Sequence, residues 1–339
     1  MNLTYKRNCH KASILIVALW SLCSLSVFAV ILSYEVRQKI NLVKRLDERA
    51  KLRLIADCGV KASIAKLKAG IVKNYDSLKD DWSNDLGAFK DINIDAGRYN
   101  ICYNDKAIDS GLTETRWGIA DEERKININK ASLSVLERLI HIVLNLDEIE
   151  AQELAAAIVD WRDSDSELSI PIGSAEDSYY SGQGFPYEAK DANFEVLEEI
   201  VLVKGMSKEI FRQIKDYLTI YGSGRVNVNT AGRQVLFSLG LNESIVEKIL
   251  HFRGGKNEPD SLEGNIFTEP LSIVPQLSQY VNLSGTEVAL LSGVAEQFLC
   301  TKSDNFMIRC VASLQNRKDT VELSCVATRK GKILYSREN

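Results

Sequence analysis

Residues 12–34, ASILIVALWSLCSLSVFAVILSY, are apolar and carry no charge, proline or glycine. About 20 such residues cross the ~30 Å hydrocarbon core of a bilayer as a helix. The pattern therefore predicts a membrane stem that is apolar all round. The run exceeds the ~7–15-residue core of a secretory signal and no A-x-A-like cut follows it, which favours a retained stem. Beyond it the pattern narrows to a stripe. Val36, Ile40, Val43, Leu46, Ala50 and Leu54 recur in steps of three and four among charged residues, which draws one face of a helix. The first glycine is Gly59 and the first proline Pro171, so nothing breaks the helix up to Cys58. At ~1.5 Å per residue it would be roughly 80 Å long, and the stripe is expected to pack on the globular part.

After a polar, loop-like stretch over residues 74–95, residues 98–104 (RYNICYN) alternate like a strand, and residues 116–120 do so more weakly. An internal echo follows. KININKASLSVL at residues 125–136 returns as RVNVNTAGRQVL at residues 225–236, with Asn127, Asn129, Ala131, Val135 and Leu136 repeated 100 residues later. Each copy predicts a strand end, a helix opened by the alanine with the second asparagine as cap, a short turn and a second helix. The second helices close on I-V-D-W-R and I-L-H-F-R, and FEVLEEIVLVKGMSKEIF lies between the copies. Near the carboxyl end, residues 306–313 and 320–328 flank a polar turn as a hairpin, and residues 332–336 add a third strand. This sheet, with residues 98–104, is the expected seat for the helix stripe.

Composition narrows the function. The chain has 339 residues, 45% hydrophobic, with a net charge of −4, so it supports packed cores and has no global pull on nucleic acid. Three histidines and no G-x-S-x-G, HExxH or P-loop leave no enzyme signature. Seven cysteines show neither CxxC pairs nor histidine partners, which speaks against zinc. Cys58, Cys102, Cys300, Cys310 and Cys325 lie beyond the membrane and could pair in an oxidising compartment. Helix–turn–helix units with N-x-N segments also occur in membrane-anchored DNA receptors of the competence type, so DNA binding is the alternative reading. Charge opposes it: residues 147–199 hold fifteen acidic residues against Arg162 and Lys190, whereas DNA affinity comes from neutralising phosphates. In that stretch Asp160, Asp163, Asp165 and Glu167 precede a glycine loop, followed by Glu176 and Asp177. Clustered carboxylates repel unless water or a cation intervenes, and hard oxygen ligands suit calcium. From the residues alone a solvated acidic loop and a calcium loop both stay open.

The stem A-S-I-L-I-V-A-L-W, then D-W-R-D-S-D-S-E, G-S-A-E-D-S-Y-Y, F-P-Y-E-A-K-D-A-N-F, L-E-E-I-V-L-V-K-G-M and Y-L-T-I-Y-G-S-G-R-V-N-V-N-T-A together resemble general secretion pathway protein K, the large minor pseudopilin of type II secretion systems. The resemblance implies an α+β, pilin-like domain whose long amino-terminal helix packs on a small antiparallel sheet, with inserted helical, SAM-like or helix-hairpin-helix-like units. It divides the chain into a prepilin leader (1–12), stem and first pilin part (13–125), two helical units (126–222 and 223–290) and closing strands (291–339). It implies cleavage by a prepilin peptidase between Ala12 and Ser13, and Val17 where most pseudopilins carry a glutamate. It places a single-pass protein in the bacterial inner membrane, its globular part in the periplasm, at the tip of a pseudopilus. Minor pseudopilins I and J would be its partners, with exported proteins as further candidates and no nucleic acid. It also implies structural calcium, with Asp163, Asp165, Glu167, Glu176 and Asp177 as the expected ligands.

Overall fold

The helix expected from residue 12 onwards is α1 (Cys9–Ala69), 61 residues without a break. The computed structural model describes residues 9–70, 73–95, 97–105, 114–171, 173, 175–254, 264–315 and 319–338. The first eight residues of the expected leader lie outside these. Ala12 and Ser13 fall within α1, and Val17 is exposed. Ile14, Leu25 and Tyr34 are 69%, 66% and 64% exposed, as a lipid-facing helix requires. Ser21 and Ser26 donate back to the carbonyls of Val17 and Leu22 at 2.9 and 2.8 Å, so their hydroxyls are paired within the helix. By its contacts the chain forms two units, Met1–Leu54 and Ile55–Asn339.

The stripe read from the sequence is not the packed face. Val36, Ile40, Val43, Leu46 and Leu54 remain 48–64% exposed. In the part of the helix that belongs to the second unit the buried residues are Ile55, Ala56, Gly59, Val60, Ser63 and Leu67, a face that begins where the stripe ends. Close approach explains the difference. A Cβ at Gly59 would stand 2.6 Å from Cys310 Sγ and 2.9 Å from the Tyr99 ring, so the helix meets the sheet through its smallest side chains. Hydrophobicity alone underrates such a face.

The chain continues through α2 (Leu86–Phe89), β1 (Ile92–Ile94), β2 (Gly97–Ile101), β3 (Tyr103–Asp105), β4 (Glu114–Arg116) and β5 (Ala120–Asp121). A first helical unit then runs from β6 (Ile126–Asn127) through α3 (Leu133–Leu144), α4 (Glu148–Arg162), α5 (Asp177–Tyr180) and α6 (Lys208–Ile214) to β7 (Leu218–Thr219). A second runs from β8 (Val226–Asn227) through α7 (Arg233–Ser238), α8 (Glu243–Gly254), α9 (Ile273–Tyr280) and α10 (Gly285–Phe298) to β9 (Leu299–Cys300). The last strands are β10 (Asn305–Leu314), β11 (Thr320–Thr328) and β12 (Ile333–Glu338).

The main sheet is antiparallel in the order β1-β2-β10-β11-β12, with β5 paired to the start of β10. Alternation sets its faces: Phe306, Ile308, Cys310 and Ala312 are buried on the side of α1, while Met307, Arg309 and Val311 are half-buried on the other. Cys23, Cys58, Cys102, Cys300, Cys310 and Cys325 are free thiols. Cys310 sits opposite Leu323 and Cys325 opposite Ile308. That leaves the two cysteines diagonal, about 7–8 Å apart at Cα, too far for a bridge.

The helical insert leaves the sheet and returns to it at one place, where Asp121 pairs with Phe306. Both units close alike, β6 pairing parallel to β7 and β8 parallel to β9, and they share one hydrophobic core. Asn145 (φ 52°) and Gly240 (φ 95°) make the turns between paired helices in the left-handed region. A buried polar junction fixes the insert to the sheet. Arg329 pairs with Asp76 and donates to the carbonyls of Leu67 and Ser303 at 3.3 and 3.2 Å. Asp121 accepts from Thr230 and Ser303 hydroxyls at 2.6 and 2.7 Å. Glu123 accepts from the amides of Asp304 and Asn305 at 3.1 and 3.0 Å, and burial beside Asp121 pushes it up to about 8.

Candidate functional site

The repeated asparagines, the residues behind the DNA reading, are occupied inside the fold. Asn127 and Asn227 each accept from the amide of the asparagine two residues on, at 2.9 and 3.0 Å. That second asparagine does not cap a helix, as the sequence suggested. Ser132 and Gly232 precede the helices, and neither caps with its side chain. Asn129 instead grips both backbone groups of Phe194, donating to its carbonyl at 3.0 Å and accepting from its amide at 2.8 Å. Asn229 does the same to Phe267, both at 2.9 Å. The arginines that end I-V-D-W-R and I-L-H-F-R repeat as well. Arg162 donates to the carbonyls of Ile128 and Ala131, and Arg253 to those of Val228 and Ala231. Both guanidinium groups thus close their own unit, and the motif is a fastening of extended backbone to helix end.

The acidic loop is the candidate site, and it is organised from Asp160. The last turn of α4 buries Asp160 completely, and its two oxygens accept from the amides of Ser169 and Ala175, each at 3.0 Å. One carboxylate therefore pins both limbs of the loop, drawing residue 176 back beside residue 163. Aromatic packing holds the far side. Trp161 meets the Tyr180 ring edge-on at 5.2 Å, Tyr187 lies 5.1 Å from Tyr180, and the Tyr187 hydroxyl donates to the Leu202 carbonyl at 2.8 Å.

Inside the loop two carboxylates each leave an oxygen unpaired, and only Arg162 beside Asp163 partly offsets their charge. Asp163 Oδ1 and Glu176 Oε1 are buried and have no hydrogen-bond partner among the described residues. Burial, then the charges of Asp165 and Asp160, pushes Asp163 up to about 6. Burial, then Asp160, Asp163 and Asp191, pushes Glu176 up to about 7. The nearby cations are engaged elsewhere: Arg162 on backbone carbonyls, Lys190 on Glu199 at 2.6 Å, and Lys204 on the Gly173 carbonyl at 2.7 Å. Of the expected ligands, Asp163 and Glu176 both feel the charge of Asp165, and Glu176 that of Asp163. Asp177 is engaged separately, accepting from the Ala189 amide at 2.8 Å. Glu167 is exposed, its amide bonded to Asp165 at 2.9 Å.

Two members of the cluster escaped the ligand set read from the sequence. Asp160 looked like part of a helix, and its place in the last turn beside W-R was the available signal. Asp191 arrives from beyond the loop through a left-handed residue (φ 50°), as aspartate tolerates. Among the described residues no three His, Cys, Asp or Glu side chains are gathered into a ready metal cage. An ion here would need backbone carbonyls and water to complete its shell, which calcium accepts. The oxygen-only donors and the two orphaned buried oxygens fit such a hard cation.

The fold defines a class: an α+β protein with a membrane-capable amino-terminal helix and a helical insert in its antiparallel sheet. Residues 105–223 match the family model for the type II secretion system (T2SS), protein K. The type II secretion system protein K of Aeromonas hydrophila is 26% identical over 164 residues, 45% of this chain and 49% of that protein. The chain thus spans about half the length of the curated relative it matches. The crystal structure of the GspK-GspI-GspJ complex from the enterotoxigenic Escherichia coli type 2 secretion system contains a chain of like fold. Its TM-score is 0.61 at 14% identity, over 90% of this chain and 99% of that one. The resemblance read from the sequence and the α+β fold it implied both stand.

Proposed function

We propose that the protein is a minor pseudopilin of a type II secretion system, a structural subunit without catalytic activity. The observation that carries this is the placement of the protein K domain, residues 105–223, within a sheet that receives a membrane-capable amino-terminal helix. The apolar part of α1 sits in the inner membrane and Ile55–Asn339 in the periplasm. A prepilin peptidase removes residues 1–12, leaving Ser13 at the amino terminus. Val17 supports a position at the tip: a carboxylate in hydrocarbon without a partner costs several kcal/mol, and a subunit with nothing above it has no use for one. The GspK of the matched crystal structure is in complex with GspI and GspJ, which supports minor pseudopilins I and J as partners. The exposed stripe from Val36 to Leu54 is available to their stems, and exported proteins would be met at the tip.

Calcium belongs to this reading as a structural ion among Asp163, Asp165 and Glu176, with Asp160 and Asp191 around it. It would neutralise the loop and hold it against the aromatic cluster, with no water activation.

The deciding experiment offers the protein both minor pseudopilins and duplex DNA. A stable three-protein complex is expected, with no DNA binding at physiological salt. Micromolar DNA affinity that falls steeply with salt would reject the proposal in favour of the receptor.

A further inference from the structure

β12 closes one side of the main sheet. It pairs with β11, and no strand among the described residues pairs with its outer side. An edge strand turns half its backbone N–H and C=O groups outward, and another extended backbone is what satisfies such a row. The edge is six residues long, and Ile333 and Leu334 are 49% and 41% exposed on it.

A second feature lies beside this edge. The register sets Met307, Val326 and Tyr335 in one row across β10, β11 and β12. Met307 and Tyr335 line a cleft of about 260 Å³, whose other walls include Val196, Leu197, Phe211 and Tyr221 of the first helical unit. That is smaller than the ~300–1,000 Å³ of drug-sized ligand sites and suits one bulky apolar side chain. A strand added to β12 would continue the row about 4.8 Å beyond Tyr335, with one side chain turned to the same face and the same cleft. Strand addition draws affinity from the backbone and selectivity from such a pocket.

Charge narrows the occupant. Lys330 and Lys332 are exposed at the start of the strand, while Glu338 lies at its end and Glu198 reaches Arg337 at 3.4 Å. The complementary strand is acidic where it passes the lysines and apolar at its middle.

We propose that β12 accepts an extended strand from a partner pilin-like subunit, with one apolar side chain seated in the cleft beside Tyr335. The identity of the partner rests on the pseudopilin reading. The test is backbone hydrogen exchange on the full chain in detergent, alone and with minor pseudopilins I and J. Amides of Ile333–Glu338 are expected to exchange at least tenfold more slowly in the complex. Ile333→Lys with Leu334→Lys, and separately Val196→Trp, should weaken the complex at least tenfold without moving the thermal midpoint. A complex that forms with β12 exchange unchanged overturns the strand proposal and leaves the pseudopilin reading standing. No complex with either protein overturns both. Protection that grows with the chain's own concentration, or that only an exported protein induces, replaces the proposed partner and so overturns it.

Discussion

Asp163 and Glu176 make the acidic loop sensitive to both protons and cations. Carboxylates in an unfolded chain lose their protons near pH 4, whereas these two hold them until about pH 6 and 7. In that window the folded state binds more protons than the unfolded one, so calcium-free protein loses stability as pH rises through it. Calcium requires the deprotonated ligands, so its stabilisation grows over the same window. With an extracellular-type affinity of roughly 10⁻⁴–10⁻³ M, about 5 mM calcium would add about 1–2 kcal/mol near pH 8. Thermal unfolding should show a rise of a few degrees over chelator at pH 8 and little at pH 5. Asp163→Ala with Asp165→Ala should remove the rise, and an unchanged midpoint at both pH values would leave a solvated loop. The carboxylate pattern was legible in the sequence. Which oxygens would be buried was not, because that depends on Asp160 tying residues 169 and 175 together across the loop.

At the scale of elements, the N-x-N segments show how far a motif can be read. Repetition, spacing and the strand-to-helix passage were visible, and so were the two helix–turn–helix units. The bonds of the second asparagine were not, since Phe194 and Phe267 lie 65 and 38 residues away. Loss of Asn229 would strand a buried amide and carbonyl of Phe267, each costing about 1–3 kcal/mol. Asn129 is half-buried and Asn229 almost fully buried, so water can replace more of what Asn129 supplies. Asn229→Ala should lower stability by about 2–4 kcal/mol in urea unfolding, and Asn129→Ala by about half of that. Equal losses would mean that burial does not set the cost. The helix face is the complementary lesson. Apolar spacing located the stripe on α1, but the sheet took the neighbouring face, where Gly59 permits contact.

For the whole molecule, cysteine spacing spoke against zinc and charge against nucleic acid, and scattered motifs pointed to the family whose model matches residues 105–223. The way the insert hangs from the sheet was out of reach, because Glu123 and Asn305 meet from 182 residues apart. That single point of departure and return has a kinetic consequence. Closing so long a loop before anything inside it has formed would be entropically costly and slow. Two helical units that zip their own ends, β6 to β7 and β8 to β9, shorten that loop as they form. They then deliver β5 and the start of β10 to each other almost as a hairpin would. The connectivity thus favours one order of assembly: helical insert first, sheet second, with residues 55–69 docking on a surface that did not exist until then.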